Sequence, residues 1–144
     1  MSGRVLAIDP GERRVGLAVS DPLGITAQGL ETFDRRGGDL LDHVEKLARE
    51  YEVERIVVGN PVSMSGREGE GSLRARALAG ELHARLALPV ELWDERLSSA
   101  EAHRVLAGSG AGKGAVDRVA AVIILQGYLD AHSRRRDDGK EQDT

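Results

Sequence analysis

RVLAIDPGERRVGLAVS, residues 4–20, contains an apolar run that stops at Asp9, a turn Pro10-Gly11-Glu12-Arg13-Arg14, and a second apolar run Val15–Val19. The pattern is a strand, a turn and a returning strand, with a carboxylate where the first strand stops. Val5, Leu6, Ala7 and Ile8 are all apolar, so both faces of that strand are expected to be covered, as in a central strand. Pro10 blocks further pairing and Gly11 allows a tight bend, which leaves Asp9 at the mouth of a turn on the rim of a core. An aspartate in that position also has a plainer use, capping its own turn.

Working outward, Asp21-Pro22-Leu23-Gly24 is a turn signal, and a third strand is expected over Ile25–Phe33, completing an antiparallel meander. Leu40, Leu41, Val44, Leu47, Ala48 and Tyr51 fall at helical spacing and predict an amphipathic helix over Asp39–Glu52. Arg55–Gly59 reads as a buried strand entered from a helix, hence parallel to the first. Asn60–Gly71 is polar and Gly-rich, a loop at the carboxyl end of that strand, where open α/β sheets bind ligands. A helix is expected over Ser72–Leu86, then a short strand Pro89–Trp93 with Asp94-Glu95-Arg96 at its end. Ser98 and Glu101 form a capping-box pattern for a helix to about Leu106. Gly108–Gly114 has the glycines of a phosphate-binding loop, but Lys113 is followed by Gly114 and no strand precedes it, so a P-loop is rejected. The last helix is expected over Ala115–His132. The order predicts an α/β fold of ribonuclease H-like arrangement. Its mixed five-stranded sheet joins the meander to parallel strands, with helices on its flanks.

Length and composition narrow the function. At 144 residues one domain is expected, over residues 1–132, followed by a disordered charged tail, 133–144. There is no cysteine, so no disulfide framework and no thiolate zinc site. No apolar stretch is long enough to span a membrane and no leader opens the chain, so a cytoplasmic location is expected. A net charge of −4 argues against a polybasic coat. It leaves room for a nuclease, whose clustered acids lower the net charge while a few arginines hold phosphate. Aromatics at 3% make base-stacking platforms scarce.

Two further acids stand out. Asp117 shares a helical stripe with Ala121, Ile124 and Tyr128, and an ionised carboxylate on a core-facing stripe is costly unless paired or bound to a cation. It could equally complement the helix dipole from the first turn. Glu95, beside Asp94, ends a strand expected to run parallel to the first, so it lies at the same sheet edge as Asp9. An ordinary loop acid paired with an arginine is the alternative. Taken together, the three are expected to converge on one rim, where oxygen ligands suit magnesium or manganese. Arg13, Arg14, Arg67, Arg96 and Arg118 are candidates for holding phosphates there, with solvated surface charge as the alternative for each. The histidines show no ligand spacing, and Ser63 and Ser65 lack an evident base.

AIDPGERRVGLAVSD, IVVGNPVSMSGREG, DERLSSAEA and KGAVDRVAAVIILQGYL, in that order, resemble the YqgF-type, RuvX-like family of Holliday junction resolvases. These are ribonuclease H-like proteins also assigned to maturation of the 5′ end of pre-16S ribosomal RNA. The resemblance runs from about Arg4 to Leu129. It implies that Asp9, Glu95 and Asp117 are the catalytic acids. It also marks Gly11, Gly16, Gly59, Pro61, Gly66, Arg96 and Lys113 as motif positions, and Lys113 joins the substrate-binding candidates. The expectation is a metal-dependent nuclease with a two-ion magnesium or manganese site. Asp9 would bridge the ions and Glu95 and Asp117 complete the cage, leaving a 5′-phosphate and a 3′-hydroxyl. RNA is the favoured substrate and four-way DNA the alternative; the protein could be a monomer or a homodimer. A non-catalytic nucleic-acid-binding domain is the rival from another class. The phosphate motif of actin-like ATPases also resembles Asp-Pro-Gly, but it needs a second lobe that this chain is too short to supply.

Overall fold

The computed structural model describes residues 3–61, 67–95 and 119–132. The sheet is built from β1 (Arg4–Pro10), β2 (Arg14–Ser20), β3 (Ala27–Gly29), β4 (Phe33–Asp34), β5 (Val53–Asn60) and β6 (Val90–Asp94). Its strand order is β3-β2-β1-β5-β6, with β4 also paired to β2. β1 is central, antiparallel to β2 and parallel to β5, and β5 is parallel to β6. Leu6, Ala7 and Ile8 are fully buried, as their unbroken apolar run requires.

One layer of helices covers each face. On the first face lie α1 (Leu40–Glu50) and α2 (Glu70–Leu86), packed on Leu6, Ile8, Val15, Leu17, Ile56 and Val58. Asp39 caps α1, its side chain accepting from the Leu41 backbone N–H at 2.8 Å. Leu40, Val44, Leu47 and Ala48 form the buried stripe. α2 buries Ser72, Ala75, Leu78 and Leu82, and ends at Ala87 in the left-handed region, whose N–H returns to the His83 carbonyl. Removing the Leu82 side chain would cost ~2–5 kcal/mol, the usual range for a fully buried leucine.

On the second face lies α3, helical over 119–132. Ala121, Ile124, Leu125, Tyr128 and Leu129 pack against Ala7, Ala18 and Val57. Gln126 ties this helix to the sheet edge, accepting from the Ala27 N–H at 3.1 Å and donating to the Ile25 carbonyl at 3.0 Å. Tyr128 meets Trp93 edge-on, with ring centroids 5.6 Å apart, and its hydroxyl accepts from Arg55 at 3.1 Å. Among the described residues no helix is long and apolar enough to cross a membrane.

The single third strand expected over Ile25–Phe33 is corrected to two short ones, so among the described residues the sheet has six strands and not five. The registers explain the break. β3 pairs Ala18 with Gly29, whereas β4 pairs Val15 with Phe33, one residue out of step. An extra residue between the segments interrupts the ladder, as in a bulge, and the Leu30 N–H still reaches the Leu17 carbonyl at 2.8 Å. α2 begins at Glu70, two residues before the expected start. The expected helix to Leu106, the Gly108–Gly114 linker, the start of the last helix and the tail 133–144 lie outside the described residues.

Candidate active site

The strand registers place the acids on one face. In an antiparallel pair, partners point to the same side of the sheet, and alternate residues share a face. Asp9 pairs with Gly16, and it follows Ala7, which faces α3. The parallel β1–β5 ladder sets Ile8 beside Val58, so the next residues along, Asp9 and Gly59, stand side by side. Gly59 pairs with Trp93, and Glu95 is two residues further on that same face. Asp9 is therefore flanked by Gly16 on one side and Gly59 on the other, and neither has a side chain to crowd its carboxylate.

Glu95 fills the space that Gly59 leaves. A Cβ on Gly59 would sit 2.9 Å from Glu95 Oε1 and 2.7 Å from Ile124 Cδ1. Glu95 lies back over that glycine and shares a hydrogen bond with Asp9. Burial is the main reason its carboxyl is pushed up to about 8, followed by the hydrogen bond to Asp9 and the negative charges of Asp9 and Asp94. Two carboxyls brought this close hold a proton between them or need a cation. Asp94 pairs with Asn60 and belongs to the opposite face, so the two neighbouring acids point apart.

The turn after Asp9 is closed by a close backbone approach. A Cβ on Gly11 would lie 2.3 Å from the Arg14 carbonyl oxygen, so no other residue fits without opening the turn. Arg35 fastens it from outside, its Nε donating to the Gly11 carbonyl at 2.9 Å. Arg13 pairs with Asp34 at 3.6 Å. Arg14 pairs in the ladder with Asp34 and shares the face of Gly16 and Asp9. Arg67 is exposed just before α2. Arg96, Lys113, Asp117 and Arg118 lie outside the described residues.

A polar network that the sequence reading missed anchors the loop beside the acids. Asn60 and Ser72 are both buried, and the Ser72 hydroxyl donates to Asn60 Oδ1 at 2.6 Å. Glu68 bonds Arg76, Asn60 and Ser72, and the Arg76 guanidinium is the chief reason its carboxylate stays below the usual range. Arg74 reaches Glu12 at 3.4 Å, joining α2 to the β1–β2 turn. The available signal was the helical spacing of Ser72 with Ala75, Ala79 and Leu82, which puts a hydroxyl on the buried stripe.

Comparison with known proteins fits this architecture. The RuvX family profile, described as Holliday junction resolvase, matches residues 3–131. A "Putative pre-16S rRNA nuclease" of Koribacter versatilis is 46% identical over 141 residues, covering 94% of this chain and 92% of its own. A protein of the same name from Pelotomaculum thermopropionicum is 42% identical over 139 residues, covering 92% and 90%. Among solved structures, T. thermophilus RuvC in complex with Holliday junction substrate superposes with a TM-score of 0.56 at 20% identity, covering 91% of this chain and 96% of that one. The yeast mitochondrial Holliday junction resolvase Ydc2 gives 0.58 at 15% identity, covering 99% and 85%. These two likenesses show the shared ribonuclease H-like fold. With the family profile spanning nearly the whole sequence, the chain belongs to the RuvX Holliday junction resolvase family, nucleases that hydrolyse phosphodiester bonds.

Proposed function

We propose that Asp9, Glu95 and Asp117 are the catalytic acids of a metal-dependent nuclease whose preferred substrate is RNA, at the 5′ end of pre-16S ribosomal RNA. The observation that carries this reading is the hydrogen-bonded pair of Asp9 and Glu95 at the carboxyl edge of parallel strands. Among the described residues no three His, Asp or Glu side chains form a cage, so the pair is a partial donor set. Asp117 is the natural third member. In the sequence it lies at helical spacing from Ala121, Ile124 and Tyr128, which are buried on the same sheet face, and Ile124 reaches Gly59 beneath Glu95.

The donors are carboxylate oxygens, which fit magnesium or manganese. Such ions, when bound, activate water for in-line attack and steady the leaving oxygen. The chain's own residues do the rest. Gly59, with no side chain, lets Glu95 lie over the strand and reach Asp9. Burial of Glu95 beside Asp9 raises its carboxyl, and these two side chains would hold the cation, whose binding would release the proton. The homologues' name favours RNA; four-way DNA, the family's described substrate, is the second reading.

The test is single-turnover cleavage of a pre-ribosomal RNA fragment and of a four-way junction in manganese. Glu95→Gln and Asp9→Asn should each lose at least ~100-fold, whereas Asp94→Asn keeps substantial activity. Full activity in Glu95→Gln would remove Glu95 from the chemistry.

A further inference from the structure

Four arginines gather on the β2 side of Asp9, two of them in a segment the acids do not use. β4 and the 3-10 turn Arg35–Gly37 lie against the β1–β2 turn. Arg35 staples the two together, its backbone N–H donating to the Arg13 carbonyl at 2.8 Å and its Nε to the Gly11 carbonyl. This brings Arg13, Arg14, Arg35 and Arg36 to one end of the sheet. A single carboxylate, Asp34, pairs with both Arg13 at 3.6 Å and Arg36 at 3.4 Å. Glu12, in the same turn, is taken by Arg74.

These ion pairs are loose. The side chains of Arg13 and Arg36 are 50% and 67% exposed, and pairs of that kind add little to stability. Asp34 has a firmer task, since its Oδ1 accepts from the Arg36 backbone N–H at 2.9 Å and caps the 3-10 turn. The turn thus presents two exposed guanidinium groups around one carboxylate, on the β2 side of Asp9. A phosphate offers each guanidinium the same paired oxygens as a carboxylate does.

We propose that Arg36 and Arg13 bind the phosphodiester backbone of the substrate on the β2 side of Asp9, exchanging Asp34 for phosphate. The inference rests on the reading of the protein as a nuclease for nucleic acid, and names where the strand runs. Asp34 acts as an internal competitor that weakens contact with other anions.

The test measures binding of labelled single-stranded RNA and a four-way DNA junction to the full chain in EDTA, across 50–200 mM salt. Arg36→Ala should weaken both complexes ~3–10-fold and reduce the salt slope by about one, while Arg36→Lys restores most of the slope. Asp34→Asn keeps an oxygen for the cap and removes the competing charge, so it should tighten binding ~2–5-fold, the worth of an exposed ion pair. Arg85→Ala, at the far end of α2, should leave binding unchanged. An Arg36→Ala variant indistinguishable from Arg85→Ala would overturn the proposal, as would weaker binding by Asp34→Asn. If no substrate is cleaved in manganese but Arg36→Ala still weakens binding, the nuclease reading fails and this phosphate track stands.

Discussion

Gly59→Ala isolates the geometry of the acid pair from its chemistry. The added methyl would lie 2.7 Å from Ile124 Cδ1 and 2.9 Å from Glu95 Oε1, closer than side-chain atoms normally approach. Both obstacles are side-chain ends, so the backbone has no need to move. Ile124 is buried and must shift within the α3 interface. Overpacking of this kind costs ~1–3 kcal/mol, which in a domain of this size lowers the melting temperature by roughly 3–10 °C. Glu95 can yield more freely by turning away from Asp9. A displacement near 1 Å at a catalytic group costs roughly 100-fold in rate. The variant should therefore remain folded by circular dichroism and lose most of its single-turnover cleavage. A thermal melt beside the cleavage assay in saturating manganese reads both effects. Cleavage within ~3-fold of the parent, an allowance far inside the 100-fold expected, would show that Glu95 need not lie over Gly59.

Two further outcomes are expected. Glu95 has a carboxyl raised above its unfolded value, so the protonated pair stabilises the ion-free fold below about pH 4.5 and that contribution is lost as pH rises through about 8. Urea denaturation in EDTA should show the loss, Glu95→Gln should flatten it, and an unchanged pH profile in that variant would assign the trend elsewhere. Ser72→Ala leaves Asn60 Oδ1 without its buried donor and should cost ~1–3 kcal/mol; a variant as stable as the parent by urea melt would mean that the Glu68 network compensates.

Much of this was legible in the sequence because it was local. The unbroken apolar run before Asp9 marked β1 as central, and the Pro10-Gly11 turn fixed the returning strand. The helical stripes of α1 and α2 survived with shifts of a residue or two at their ends. What stayed hidden depends on relations between strands. Alternation within β6 separates Asp94 from Glu95 but cannot say which one shares the side of Asp9. That required the pairings of Gly59 with Trp93 and of Asp9 with Gly16. The split of the third strand is likewise a one-residue mismatch between partners, invisible in either partner alone. Asn60 reads as the start of a polar loop and Ser72 as the start of a helix, and the bond between them, which joins a strand end to a helix across that loop, is written in neither segment alone. Glycine at 16 and 59 was visible only as a motif letter; that the two stand on either side of Asp9, one of them beneath Glu95, belongs to the assembled sheet.

Trp93 gives the protein a built-in optical gauge. It is the chain's sole tryptophan, and it sits two residues before Glu95, on the same face. Its indole Nε1 is buried, with no hydrogen-bond partner among the described residues, and packs beside Gly127 and Tyr128 of α3. The ring is half-buried with its Nε1 inside, and indole emission shifts red as water gains access to it. Emission from this one ring therefore reports the seating of α3 against the sheet, and lies close enough to Glu95 to follow events at the acids without any added label.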